Sequence, residues 1–513
     1  MRNVVTALSL AAGLLVGSCA GSNSPAGVSA PAPETTSVPV EYTADWASLG
    51  KYNEQPEWFK DAKFGIYFHW GILSVPAFAN DWYPRNMHVV GSPEYQHHLE
   101  TYRHPSKFGY HDFIPMFKAE KFEADKWAEL FQKSGARFAG AMAEHHDGFS
   151  MWASKVNPWN VKDMGPKRDV MAELEQAIHG RGLKLMTTFH MARNLQIYAD
   201  NPEAKTDKSY FPYEADMPTS STDPKLRLLY GNIPAEQFYQ NWKEKLSEVI
   251  DNYSPDIIYF DGMEGKIPEE YKQEFVAYYF NHANAQGKQV VITHKSDDFP
   301  DEVSIKDFEK GRMNEITPDT WLTDETISTG SWSYTNDLKL KPTADIIHVL
   351  ADIVSKNGVM VLNISPKADG EIPQDQQQAL LQIGDWLNRY GEAIYATRPW
   401  VVYGEGPTKL EKAGHFLPAV KYSPQDIRYT TKGNTIYAIV LGWPGSNQQV
   451  LLESFAKDKL KGDLKISKVS MLGSSDKIGY EWQDNGLSLR TPSEKVDDMA
   501  VAFKIETQGE VEP

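Results

Sequence analysis

Cysteine is almost missing from this chain: Cys19 is the only one in 513 residues. One thiol cannot close an intramolecular disulfide, so the fold relies on packing rather than covalent staples. Basic residues are outnumbered as well, with 52 Lys and Arg against 69 Asp and Glu and a formal charge of −17. No basic stripe is available to replace the counterions of a phosphate backbone, which excludes a nucleic-acid partner and favours a neutral ligand. Long apolar runs are absent beyond the first residues, and there is no internal repeat.

That one apolar run, VVTALSLAAGLLVG, follows Arg2, is too short to cross a bilayer comfortably and leads into small residues, the form of a secretory signal over residues 1–18. LVGSC ends on Cys19 in the manner of a bacterial lipoprotein signal, whose cysteine is lipidated after cleavage; an ordinary signal with an idle cysteine is the alternative. Both predict export, to the periplasm or outer membrane, with Cys19 as the only membrane anchor. Residues 19–40 are rich in Ser, Pro and Ala and read as a disordered tether.

What is present is ample apolar and aromatic material: 41% hydrophobic residues, 14 Trp and 25 Tyr. The length fits two to four domains with large cores, and aromatic faces of this kind can stack on sugar rings, although most serve packing. After the tether, short apolar runs alternate with amphipathic helical stretches, as in a parallel α/β architecture. Strands are predicted over residues 64–70, 137–144, 183–189, 256–260, 289–294 and 359–364, with weaker ones over 303–308 and 321–328. Eight strands predict a (β/α)8-like TIM barrel over residues 41–398.

Among its helices, PAEQFYQNWKEKLSEVIDNYSP places Pro234 in the first turn and Phe238, Trp242, Leu246, Val249 and Ile250 on one face. TADIIHVLADIVSKNG is read with Thr343 as N-cap and Asn357-Gly358 as stop, and Gly391 closes QDQQQALLQIGDWLNRYG. Between the fifth and seventh strands the helical pattern is poor, so that side is expected to be irregular. From residue 399 onward, alternating segments such as NTIYAIVLGW and MAVAFKIE predict a C-terminal β-sandwich over residues 399–513.

Catalytic groups in such a barrel come from the C-terminal ends of strands. His69, His145 with His146, His190, Asp261 and Lys295 fall at the ends of strands one to five. Each has a plain alternative, since a histidine after a strand commonly serves structure and Asp-Gly suits a turn for backbone reasons. Adjacent residues of a strand point to opposite faces, so His145 and His146 could share a metal ion only across a bulge. No third ligand falls at a zinc-like spacing, and neither a metal nor a cofactor is predicted. Packing does not explain so many polar groups at successive strand ends.

The motifs WFKDAKFGIYFHWGILSVPAF, DWYPRNM, HHDGFSMW, SPDIIYFDG, SWSY, NGVMVLNISPKADGEIP and YGEAIYATRPW, in this order, resemble the α-L-fucosidases of glycoside hydrolase family 29. The resemblance implies a barrel followed by a sandwich, and retaining hydrolysis of terminal α-L-fucosides in glycans without metal or cofactor. It assigns Asp261 as nucleophile, and His69, Trp82, His145 and His146 to the sugar ring. His190 and Lys295 stand where further sugar contacts are expected, and Trp332 forms a wall near the sugar's methyl group. Glu309, in KDFEKG, is the acid/base by its likeness to a DFERG form, with Glu264, Glu315 and Glu325 as fallbacks. Retention needs two carboxyls of divergent pKa roughly 5–5.5 Å apart, one ionised to attack and one protonated to donate.

The chain departs from the family pattern at four positions: Glu144 where a lysine is common, His190 where a tyrosine is common, Lys295 for an arginine, and Asp81 for a glutamate. These leave open an α-L-galactoside or sulfated fucan glycone, or a catalytically weak glycan-binding lipoprotein. The sequence leaves the linkage and the oligomeric state unread.

Overall fold

The computed structural model describes residues 41–196, 210–460, 464–509 and 511. The predicted signal, Cys19 and the tether up to residue 40 lie outside them. Among the described residues no helix is long and apolar enough to cross a membrane.

Eight parallel strands form the first sheet: β1 Phe64–Phe68, β2 Phe138–Glu144, β3 Lys184–Phe189, β4 Ile257–Phe260, β5 Val291–His294, β6 Ile305–Lys306, β7 Trp321–Thr326 and β8 Gly358–Ile364. Their order is β6-β5-β4-β3-β2-β1-β8-β7, and the ring is drawn together between β6 and β7 by a bridge from Asp307 to Leu322. Alternation along each strand separates two cores. Tyr67, Phe138, Met186, Ile257, Tyr259, Val291, Leu322 and Val361 fill the barrel. Their neighbours Ile66, Phe68, Ile258 and Phe260 pack outward with the surrounding helices. Large and small residues interdigitate inside: a β-carbon on Gly65 would stand 2.1 Å from the Phe138 ring.

The helix Ala235–Tyr253 is entered through Pro234 as N-cap, one position earlier than a first-turn residue, and buries the predicted face of Phe238, Trp242, Leu246, Val249 and Ile250. Thr343 is not an N-cap. Pro342 precedes the helix Thr343–Ser355, and the Thr343 hydroxyl donates instead to Gln382. The fixed φ of Pro342 suits the extended backbone of a cap position, which leaves the threonine as the first helical residue. As expected, the β5-to-β7 side lacks long helices, having only the 3-10 turn Asp301–Val303.

The remaining strands are antiparallel: β9 Arg398–Glu405, β10 Ile427–Lys432, β11 Thr435–Val440, β12 Gln449–Leu452, β13 Ile466–Met471, β14 Tyr480–Gln483, β15 Gly486–Arg490 and β16 Val501–Thr507. They form a five-stranded sheet, β13-β16-β11-β10-β9, and a three-stranded one, β12-β15-β14. The sandwich is joined to the barrel by a buried ion cluster. Asp352, on the helix Thr343–Ser355, accepts from Arg428 Nε of β10 at 2.6 Å and from Lys356 Nζ at 2.9 Å. Replacing Arg428 by Met leaves Asp352 under-compensated in an apolar setting. We expect a loss of about 3 kcal/mol and a lower thermal midpoint, partly recovered when Asp352→Leu is added.

Candidate active site

A cleft of about 540 Å³ opens at the C-terminal ends of the barrel strands, and it is lined by all nine residues that the sequence singled out. Asp261 follows β4, and its amide donates to the Phe189 carbonyl of β3 at 3.0 Å, extending the ladder by one residue. Gly262, at φ +95°, then turns the chain away, which only glycine does without strain. The carboxylate is thereby presented at the mouth of the barrel rather than buried beneath it.

Lys295, at the end of β5, organises the acids. Its ammonium lies 2.5 Å from Asp261 Oδ1, 2.8 Å from Glu309 Oε2 and 3.4 Å from Asp324 Oδ2. Because one nitrogen holds Asp261 and Glu309 at 2.5 and 2.8 Å, their two oxygens are at most about 5.3 Å apart. That limit on the bridged oxygens is compatible with the short separation, roughly 5–5.5 Å, of a retaining pair.

The same charge sets the protonation states. Burial opposes ionisation of Asp261, but the charge of Lys295, aided by His190 and His146, overrides it and holds the carboxyl well below its usual range. Burial likewise raises Glu309; there the pull of Lys295 is countered by the charges of Asp324 and Asp261, and the pKa stands at about 7. Lys295 itself stays charged, since the surrounding carboxylates outweigh its burial. Beneath it, Asp324 accepts from the hydroxyls of Tyr67 at 3.0 Å and Tyr259 at 3.1 Å. Burial, and then the charge of Asp324, push Asp307 well above the carboxylate range.

Four histidines form the opposite wall. Burial lowers the pKa of each, that of His190 to about 3, with the charge of Asp261 opposing the shift at His146 and His190. Asn363 of β8 takes the His69 Nδ1 proton at 2.8 Å, leaving Nε2 as an acceptor. The His190 carbonyl fixes the His146 proton on Nδ1 at 2.6 Å. His190 Nδ1 and His146 Nε2 each lie 3.2 Å from Asp261 Oδ2, while His145 Nδ1 and His190 Nε2 have no hydrogen-bond partner in the protein. Buried polar atoms left in this way are partners for a polyhydroxylated ligand. Trp332, its ring 5.5 Å from that of His69, and Trp82, beneath the Arg193 guanidinium, supply the flat faces.

His145 and His146 both face the cleft, contrary to simple strand alternation. They follow Glu144, the last residue of β2, where the pairing with β3 shifts register between Met142 and Glu144. The fold also supplies the third ligand that sequence spacing does not show. His69, His145 and His190 bring ring nitrogens within 4.8 Å of one another, as do His146 and His190 with a carboxylate oxygen of Asp261. A divalent ion on the Asp261 side would compete with the Lys295 ammonium for one carboxylate and be repelled by it.

Of the four glutamates considered, only Glu309 lines this cleft. Glu264 is buried with both oxygens unpartnered. Glu315 borders a separate cleft beside the sandwich, and Glu325 is held by Lys341 at 2.5 Å. Of the four departures, His190, Lys295 and Asp81 line the cleft, whereas Glu144 does not: it pairs behind the histidines with Lys245 of the helix Ala235–Tyr253 at 2.6 Å. The reversed charge at Glu144 is thus not a change in the sugar-facing shell.

An ionised carboxylate, a carboxyl poised near neutrality within reach of it, and a hydroxyl-binding wall define a glycoside hydrolase of the retaining kind. Comparison with known proteins narrows this class. Residues 30–392 match the model of the α-L-fucosidase family, and residues 422–506 that of the α-L-fucosidase C-terminal domain. The chain is 30% identical to the tissue α-L-fucosidase of Homo sapiens over 473 residues, 88% of each chain. It is 28% identical to the human plasma α-L-fucosidase over 480 residues, 90% of each. The crystal structure of the Thermotoga maritima α-fucosidase in complex with fucose is similar, with a TM-score of 0.71 at 25% identity, covering 90% of this chain and 100% of that one. The chain belongs to the α-L-fucosidase family.

Sequence reasoning missed Asp324, Arg193, His415 and Phe416, all of which line the cleft. Asp324 had a signal, since alternation with Leu322 puts it on the interior face of β7. His415 and Phe416 lie far along the chain in the sandwich, where nothing local announces them. If the histidine wall binds hydroxyls rather than a metal, dialysis against EDTA should leave kcat/KM on an aryl α-L-fucoside within about twofold; a loss restored by Zn²⁺ would assign an ion to it.

Proposed function

We propose that this chain removes terminal α-L-fucosyl residues from glycans by double displacement, with Asp261 as nucleophile and Glu309 as acid and then base. The observation that carries this reading is the Lys295 ammonium shared by both carboxyls at 2.5 and 2.8 Å. It supports a short carboxyl separation and opposite protonation states together.

In the first step Asp261 attacks the anomeric carbon while Glu309 gives its proton to the departing oxygen, and the glycosyl ester forms on Asp261. Glu309, now a carboxylate, takes a proton from water, which attacks the same carbon and releases fucose with its configuration retained. His69, His145 and His190 offer ring nitrogens to the sugar hydroxyls, and Trp332 offers an apolar face for the C5 methyl group. A similar protein, the Thermotoga maritima enzyme, has been crystallised with fucose, which supports fucose as the glycone here.

A 2-fluoro-fucosyl fluoride should inactivate the protein and leave its adduct on Asp261, as read by peptide mass spectrometry. Labelling of another residue, or fucose released with inverted configuration, overturns the assignment. The pH dependence follows from Glu309. Its pKa, raised to about 7, keeps the acid protonated below that pH, so kcat/KM should fall as pH rises through about 7. In Glu309→Gln the rate on poorly leaving aglycones should collapse by roughly 10²–10⁴ and that alkaline limb should vanish.

A further inference from the structure

The sandwich does more than cover the barrel from outside. Between β9 and β10 the chain returns to the active-site mouth and pairs with the segment that carries Glu309. Phe416 N donates to the Glu309 carbonyl at 2.7 Å, and Leu417 N to the Lys310 carbonyl at 3.1 Å. Gly414 and Arg312 exchange backbone bonds at 3.2 and 3.3 Å. His415 Nδ1 accepts from Glu309 N–H at 3.0 Å, with its ring packed 5.4 Å from that of Phe308. This loop therefore fixes the backbone of the proposed acid/base, and it places His415 and Phe416 in the lining of the cleft.

Phe416 has no structural reason to be where it is. The residue is 64% exposed and its backbone sits at φ +50°, a left-handed conformation that a bulky residue adopts at a cost. A solvent-exposed ring held in place by backbone bonds on both sides is a platform awaiting a partner. Its position specifies which one. Glu309 stands on the side of the glycosidic oxygen that departs, since it must protonate it. The fucose ring is taken up by the histidine wall and Trp332, so a group beyond Glu309 faces the leaving group instead.

Building on the fucosidase reading, we propose that Phe416, carried by the C-terminal domain and braced by His415, is the stacking platform of an aglycone subsite that favours substrates with a sugar ring next to the fucose. The apolar face of a pyranose in the leaving group would lie on the phenyl ring, and the domain would set substrate preference through this one contact rather than through a separate carbohydrate site.

The test compares a fucosylated oligosaccharide with α-L-fucosyl fluoride, whose leaving group has no ring to stack. For Phe416→Ala the ratio of kcat/KM values, oligosaccharide over fluoride, should fall about tenfold, the usual size of one lost sugar–aromatic contact, with the change mainly in KM. Phe416→Trp should restore the ratio or raise it. An unchanged ratio in Phe416→Ala, in protein that still turns over the fluoride, overturns the subsite and leaves the fucosidase reading intact. A wild-type protein that hydrolyses neither substrate overturns that reading, and the subsite with it.

Discussion

One buried ammonium governs the chemistry of this protein. Lys295 is surrounded by Asp261, Glu309 and Asp324 within 3.4 Å, with Asp307 bonded to the backbone of Asp324 just beyond. Four carboxyls at the mouth of one barrel cannot all ionise, since each pair of charges a few ångströms apart repels by some ~4 kcal/mol even at an effective dielectric of 20. Asp261, with the closest contact to the cation, is held well below the carboxylate range, while Asp307, buried and beside Asp324, is pushed well above it. Glu309 lies between these extremes, at about 7, because the attraction of Lys295 and the repulsion of two carboxylates act on it together. A nucleophile and an acid of the same chemical type are thus separated by their relation to one charge.

The geometry that allows this cluster is a weakness of the barrel. β6 has only two residues, and closure toward β7 rests on the Asp307–Leu322 bridge. The segment after β6 is held from two sides, by Phe308 N and Lys310 N donating to the Leu322 and Asp324 carbonyls of β7 at 3.0 and 2.9 Å and by the backbone bonds from the sandwich loop at Gly414–Leu417. Tyr67 and Tyr259 reach across the barrel interior to Asp324, so the last layer of the core is also the floor of the site. Stability and reactivity therefore meet in the same residues.

The regular parts of this arrangement were legible in the sequence. Residues 256–260, 359–364 and the stripe of the helix Ala235–Tyr253 show periodicity strong enough to place strands, helix and interior face, and strand ends directed attention to Asp261, Lys295 and the histidines. The motifs pointed to Glu309, but its relation to Asp261 could not be read, because it arises from a contact through Lys295 across β4, β5 and the end of β6. Alternation alone could not bring His145 and His146 to one side without a bulge, and the register shift at the strand end that supplies it is invisible in residue type. Thr343 showed a limit of another kind: threonine favours caps, but the proline before it had already fixed the extended backbone there. The loop carrying His415 and Phe416 was beyond reach, being defined by where a domain boundary folds back rather than by any local pattern.

The departures from the family pattern can now be ranked by where they act. Glu144 exchanges partners with a helix, with Lys245 and Ser150 satisfying both of its oxygens, so its reversed charge is neutralised behind the cleft. Lys295 and His190 both stand against Asp261 in the cleft. A planar guanidinium would bind two carboxylate oxygens in a fixed fork, whereas the ammonium distributes three donors among three acids and imposes no common plane. His190 replaces a phenol, able to donate a proton, with an imidazole whose Nδ1 stands 3.2 Å from Asp261 Oδ2 and whose Nε2 has no hydrogen-bond partner in the protein. A ring of that kind can hold the nucleophile through one nitrogen and bond to the substrate through the other. The imidazoles on this side of the cleft have their pKa values depressed by burial, two of them against Asp261 itself, so on the proposed reading sugar recognition and control of the nucleophile share the same rings.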